Sequence, residues 1–201
     1  MLSNCRAYLV APSVAQCRTL ASLAARSGFR IVHSAFEADT LEDPALPVTC
    51  FFLHYHLSDA AMQQVIAQVR ALPDPCQRLS PVILIIDDCT VEVLLKYIDF
   101  GFDDVISLPE KREVLEARLA AQLNSEQIYY QTSDYLGPGR RRMELPHHAD
   151  MRRADLSPHM RMVIRRDPLR GTSVLQRQLV GQALKRKQEH LSGQFGPRFA
   201  V

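Results

Sequence analysis

Phe51-Phe52-Leu53-His54-Tyr55-His56-Leu57-Ser58-Asp59 runs from an apolar strand straight into a polar break and sets two histidines at that break. Apolar residues in an unbroken run, rather than alternating with polar ones, describe a strand covered on both faces, as in a parallel sheet between layers of helix. The residues that follow agree. Ser58 or Asp59 can cap a helix, and Met62, Val65, Ile66 and Val69 recur at the i, i+3, i+4, i+7 spacing of one apolar stripe.

The same strand-then-helix unit repeats on both sides. Upstream, Ala7 to Val10 is a short apolar run, and Val14, Cys17, Ala21 and Ala24 stripe a helix that stops at Gly28. Arg30 to Ser34 reads as a second strand, and Phe36 to Glu42 as a weak helix cut by Pro44. Downstream, Pro81 to Ile86 is a strand apolar on both faces, and Val91, Leu94, Leu95 and Ile98 stripe a fourth helix. Val105 to Leu108 is a fifth strand, and Leu115, Leu119 and Leu123 stripe a fifth helix. Five such units with right-handed crossovers predict an α/β fold, a doubly wound (βα)5 parallel sheet of the flavodoxin-like kind.

Charge divides the chain. Residues 1–124 hold 10 Lys and Arg against 15 Asp and Glu, a balance of −5, whereas residues 125–201 hold 14 against 7, a balance of +7. Aliphatic residues thin out at the same point, while Arg pairs, Pro and Gly accumulate. The reading is a globular domain over 1–124 and a mostly extended, basic, largely flexible extension over 125–201. Within the extension, Ser173 to Gln176 matches a capping box, and Leu175, Leu179 and Ala183 share a face, which predicts one helix near 173–191. The five cysteines form no Cys-x-x-Cys pair and sit mostly among apolar residues, as reduced structural thiols do. The longest apolar run, Val82 to Ile86, is far short of the roughly 18 residues a membrane span needs, and the first residues have no signal-peptide layout. No membrane contact and a cytoplasmic location are expected.

In a doubly wound sheet, function gathers where the strands end at their carboxyl edge. Those ends are Ala11-Pro12-Ser13, His54-Tyr55-His56, Asp87-Asp88-Cys89 and Leu108-Pro109. Asp87 and Asp88 could serve acid/base chemistry, but no nucleophile and no phosphate-cradling Gly-rich loop accompanies them, so no enzyme is expected.

Gly101-Phe102-Asp103-Asp104-Val105-Ile106-Ser107-Leu108-Pro109 resembles the Gly-Ala-Asp-Asp-Tyr-Leu-x-Lys-Pro signature of bacterial response-regulator receiver domains, the chemotaxis-regulator-like family, and the stretch from Phe51 resembles their Leu-Leu-Asp-x-x-Leu-Pro strand. The resemblance spans about residues 5–123. Receivers carry phosphate on an aspartate beside Mg²⁺, and this chain departs from them at every chemical position. The acidic pair falls on Ala11 and Pro12, the phospho-acceptor on His54, the switching hydroxyl on Ile86, the switching aromatic on Val105 and the lysine on Leu108. None of these holds a hard cation or pairs with a phosphoryl oxygen. The resemblance therefore implies a pseudo-receiver of two-component, phosphorelay-type signalling that binds a protein partner, with no catalytic residue, cofactor or metal of its own. It also implies a homodimer surface on the fourth helix, strand five and the fifth helix.

Four readings of His54 stay open: a pocket filler hydrogen-bonded to Asp87 or Asp88, a pH sensor pairing with Asp87, a metal site with His56 and Asp87, or a phosphohistidine, for which no base or cation cluster is evident nearby. For the extension, Arg140, Arg141, Arg142, Arg152 and Arg153, interleaved with tyrosines, offer a partner-protein surface or, alternatively, a nucleic-acid-binding one.

Overall fold

The computed structural model describes residues 2–34, 47–74, 76–139 and 158–180. A parallel five-stranded sheet is built from β1 (Cys5–Val10), β2 (Ile31–His33), β3 (Val48–His54), β4 (Val82–Asp87) and β5 (Asp104–Leu108), in the order β2-β1-β3-β4-β5. This is the flavodoxin-like order, with its reversal between β1 and β3. Leu9 pairs with Phe52, Phe52 with Ile83 and Ile85 with Ile106, so the unbroken apolar runs lie side by side in the middle of the sheet.

Four helices, α1 (Val14–Arg26), α2 (Asp59–Arg70), α3 (Val91–Phe100) and α4 (Arg112–Ala121), cover both faces. Leu20, Leu23 and Ala24 of α1 and Leu115 and Leu119 of α4 bury one face with Leu9, Phe52, Ile83 and Ile85. Met62, Ile66 and Val69 of α2 and Tyr97 and Ile98 of α3 bury the other with Phe51, Leu53, Leu84 and Ile86. The stripes read from the sequence pack in α2 and α4; in α1 the buried face is instead Leu20, Leu23 and Ala24, with Val14 exposed, and in α3 it is Tyr97 and Ile98, with Val91 exposed. Capping follows local chemistry: the Ser13 and Ser58 hydroxyls accept from the N–H groups of Gln16 and Ala61, and Gly101 ends α3 in the left-handed region at φ 103°. The helix expected over Phe36 to Glu42 lies outside the described residues. Among the described residues no helix is long and apolar enough to cross a membrane.

The extension departs from expectation. Where described, it is a four-stranded antiparallel sheet of β6 (Glu126–Gln131), β7 (Leu136–Pro138), β8 (His159–Asp167) and β9 (Gly171–Val180), in the order β7-β6-β8-β9. The helix predicted near 173–191 is thus wrong over its first residues, which run in β9, and its remainder lies outside the described residues. The Ser173 hydroxyl donates to the Arg165 carbonyl across the ladder at 3.4 Å instead of capping a helix. A hairpin decides the matter. Asp167 Oδ1 accepts from the N–H groups of Leu169 and Arg170 at 2.8 and 3.2 Å, and Gly171 takes φ 87° to lead the chain back alongside β8. The tertiary pairing overrides the helical spacing of Leu175 and Leu179, whose side chains stay 46% and 48% exposed.

This second sheet seats on the amino edge of the first. Helices run opposite to the strands they cover, so the ends of α2 and α4 reach that edge, and Asp103, just before β5, lies there with them. Asp103 is buried and accepts from Arg70 Nη2 at 2.8 Å, Arg166 Nη2 at 2.7 Å, the Val82 N–H at 2.8 Å and the Tyr129 hydroxyl. Arg166, with no exposed surface, also donates to the Leu79 carbonyl at 2.9 Å and to the Gln122 carbonyl at 3.3 Å. Around this cluster, Leu79 packs with Tyr129, Met162 and Ile164 in a third core. A further contact is made by Tyr135, whose ring lies 3.3 Å from where a Cβ on Gly101 would stand.

Burial pushes the Asp103 carboxyl up, but Arg166, Arg70, the Tyr129 hydroxyl and the Val82 N–H outweigh it and hold the carboxyl below the usual carboxylate range. A folded-state value below the unfolded one contributes stability above about pH 4, lost as pH falls through the depressed value. Replacing Arg166 with Met should therefore cost about 3–5 kcal/mol in urea unfolding at pH 7, since it strips a buried carboxylate of one partner. The same substitution should flatten the acid limb of stability below about pH 4. A loss under about 1 kcal/mol would show that Asp103 does not depend on the second sheet.

Candidate functional site

The carboxyl ends of β1, β3, β4 and β5 bring together Ala11, His54, Asp87 and Leu108. Ala11 is half-buried and Pro12 exposed after β1, Ile86 is buried beside Ser107, and Leu108 pairs with Asp87 and leads through a cis peptide to Pro109. Val105 is not at this edge: it pairs with Leu84 further down β5 and is buried in the core beneath α2 and α3. Five of the six positions that the resemblance picks out therefore share one end of the sheet, and their side chains there offer one imidazole and no carboxylate, hydroxyl or ammonium.

His54 closes β3 with 8% exposure, and the two rings that follow it in the chain lie beside it. Its ring stacks on Tyr55 at 5.0 Å between centroids, with 20° between planes, and stands 5.0 Å from His56. Its Nδ1 accepts from the His56 N–H at 3.2 Å, which places the ring proton of the neutral form on Nε2. The expected hydrogen bond from His54 to Asp87 or Asp88 is not made. Asp87 accepts instead from the Tyr55 hydroxyl, which crosses from the end of β3 to the end of β4, and Asp88 points to solvent. Tyr55 wins because a long side chain one residue past the strand reaches the neighbouring strand end, while the shorter imidazole is held by its own turn.

A polar relay joins the two ends at the sheet's reversal. The Ser13 hydroxyl donates to Gln16 Oε1 at 2.6 Å, and Gln16 Nε2 donates to His56 Nδ1. Sequence reasoning singled out neither Tyr55 nor Gln16. The former sat between two histidines that drew the attention, and the latter lies a helical turn beyond an edge residue, where only the fold shows its reach. Among the described residues no three His, Cys, Asp or Glu side chains stand close enough to hold a metal ion, so His54, His56 and Asp87 are not assembled as ligands. Arg140, Arg141, Arg142, Arg152 and Arg153 lie outside the described residues.

Desolvation lowers the His54 imidazole below its ordinary value, His56 nearby lowers it further, and Asp87 only partly opposes them. The arrangement thus holds a neutral histidine at pH 7, suited to donating a hydrogen bond from Nε2.

The described residues from Leu2 to Leu123 fold as a flavodoxin-like α/β domain whose carboxyl edge bears His54. No family profile matches the chain, and no curated protein matches it. Solved structures do. A protein described as pilus-assembly-related from Burkholderia pseudomallei shows 17% identity over 59% of this chain and 89% of its own, with a TM-score of 0.46. A pilus assembly protein from Burkholderia thailandensis shows 18% over 57% and 94%, with 0.44. A two-component response regulator from Clostridium difficile shows 16% over 58% and 93%, with 0.42.

A depressed histidine pKa stabilises the fold above the unfolded value near 6.5 and loses that contribution as pH falls through the folded value. Ring-carbon NMR titration should place the His54 midpoint below that of a free imidazole, and in His54→Gln the loss of stability between about pH 6.5 and 5 should shrink. A midpoint at or above 6.5 would mean that Asp87, not burial, governs the ring.

Proposed function

We propose that this protein is a pseudo-receiver: a signalling module with the receiver shape that works by protein–protein binding and performs no phosphoryl chemistry. The observation that carries the reading is the convergence of Ala11, His54, Ile86 and Leu108 on one sheet edge that offers no oxygen cage. Phosphoryl transfer to a carboxylate needs a nucleophilic oxygen, a divalent cation held by acidic oxygens and a cation on the phosphoryl group. None of the four side chains fills any of those roles, and the Tyr55 hydroxyl already occupies the nearest carboxylate, Asp87.

The binding surface we assign is α3, β5 and α4. Val91 and Val114 are 54% and 40% exposed there, amid half-buried Val93, Leu94 and Leu95. The second sheet lies at the amino edge and leaves this face uncovered among the described residues. The same face suits a second copy of the chain as the first partner to test.

Acetyl phosphate with Mg²⁺ should leave the intact mass of the protein unchanged, and a hydroxylamine-sensitive phosphoryl adduct would refute the reading. Val91→Arg combined with Val114→Arg should weaken self-association, or capture of the cognate partner, at least tenfold without changing the urea midpoint, because two exposed valines contribute little to folding.

A further inference from the structure

We infer that the second sheet governs the α3–β5–α4 face: seated, it holds these three elements in one arrangement for a partner, and unseated, it releases them. The inference rests on the protein-binding reading above and names how that site is regulated.

The face is weakly fixed at the carboxyl edge. Ser13 and Ser58 cap α1 and α2 with side-chain hydrogen bonds, whereas Thr90 and Lys111, which precede α3 and α4, make no such bond. A helix start without a side-chain cap leaves its first N–H groups to solvent and frays more readily. β5 is the edge strand of its sheet and pairs with β4 alone. Ala11, Ile86 and Leu108, at the same edge, carry no charge through which a signal could reset the face.

At the amino edge all three elements end on the second sheet. α3 stops at Gly101 against the ring of Tyr135, whose hydroxyl donates to the Pro138 carbonyl at 2.8 Å beside β6. β5 starts beyond Asp103, which takes Arg166 of β8 and the Tyr129 hydroxyl of β6. α4 ends at the Gln122 carbonyl, which accepts from Arg166 Nη1 at 3.3 Å; the Ala121 carbonyl accepts from Gln127 Nε2 of β6 at 2.9 Å, and the Asn124 N–H donates to the Arg166 carbonyl at 2.8 Å. Arg118 of α4 donates to the Val105 carbonyl at 2.8 Å and pairs with Asp104, so β5 and α4 are joined into one unit. Two states are available because the seat is shared. With Arg166 and Tyr129 withdrawn, Asp103 keeps Arg70 Nη2 and the Val82 N–H, and its charge is not left bare. Coupling of this kind is reciprocal: whatever docks on the face tightens the seat.

Hydrogen exchange on the full chain, read by mass spectrometry, tests this. Tyr129→Phe removes only the hydroxyl between Asp103 and Arg166, and Tyr135→Ala frees the end of α3. Tyr129→Phe should speed exchange in β5 and α4, and Tyr135→Ala in α3, each by about tenfold or more, while α1 and β1 keep their rates. Arg165→Gln, which removes an exposed pair with Glu126, should change none of them. Unchanged rates in α3, β5 and α4, or an equal acceleration through the whole first domain, would overturn the inference. Sedimentation separates it from the reading beneath it: Tyr129→Phe should weaken self-association about threefold or more, in the same direction as Val91→Arg with Val114→Arg. A loss in the arginine pair alone keeps the face and overturns its control by the second sheet, whereas an arginine pair that leaves assembly unchanged overturns the face itself.

Discussion

One carboxylate, that of Asp103, is shared between two guanidiniums, a phenol and a backbone N–H, and the union of the two sheets depends on it. Its partners come from α2, β4, β6 and β8, so four elements meet at a single buried charge. A charge taken out of water is tolerated only when its remaining lone pairs are satisfied, and here the second sheet provides two of the four donors. The +7 balance of residues 125–201 is therefore not all solvated. Arg166 is spent inside the molecule, neutralising the acidic part of the same chain.

The Gly101 to Asp104 turn serves both sheets at once. Gly101 ends α3 in a conformation that most side chains avoid, and the missing Cβ leaves room for the Tyr135 ring. Gly137 answers from the other side, with the Tyr135 hydroxyl 2.6 Å from where its own Cβ would stand. Any side chain at Gly137 would displace that tyrosine. Asp104 keeps its own bond, accepting from Arg118 Nη2 at 2.5 Å and anchoring α4 to β5. Two adjacent aspartates that look alike in the sequence thus hold different layers: Asp103 the second sheet, Asp104 the helix behind the first.

The first sheet was legible because its signals are strong and local. Unbroken apolar strands and helical stripes such as Met62, Ile66 and Val69 have few alternative folds, and the glycine and serine caps agree with them. The second sheet was not, although its signal is present. Met160, Met162 and Ile164 alternate with Arg161 and Val163, and Asp167-Pro168-Leu169-Arg170-Gly171 is a turn, but the arginines at 161, 165 and 166 read as a solvated run. The position of His54 could be read from the chain; its partners could not. Which carboxylate a side chain meets depends on how far neighbouring strand ends are staggered, and the Tyr55 bridge to Asp87 arises from that offset.

Arg166 lies 63 residues beyond Asp103 in the chain. A ribosome adding roughly 5–20 residues per second takes about 3–13 s to cover that distance. In the later part of that interval, once β5 and α4 have been made, the nascent first sheet exists with its lower rim unsealed: Leu79 has no lid, and the aspartate has one arginine rather than two. The helices and strands on either side can already be in place, so what waits is a finished layer with one wet end. Synthesis order thus makes the last hairpin a closing step, and the newborn chain passes through a window in which holdase-type chaperones have a defined apolar rim to grip.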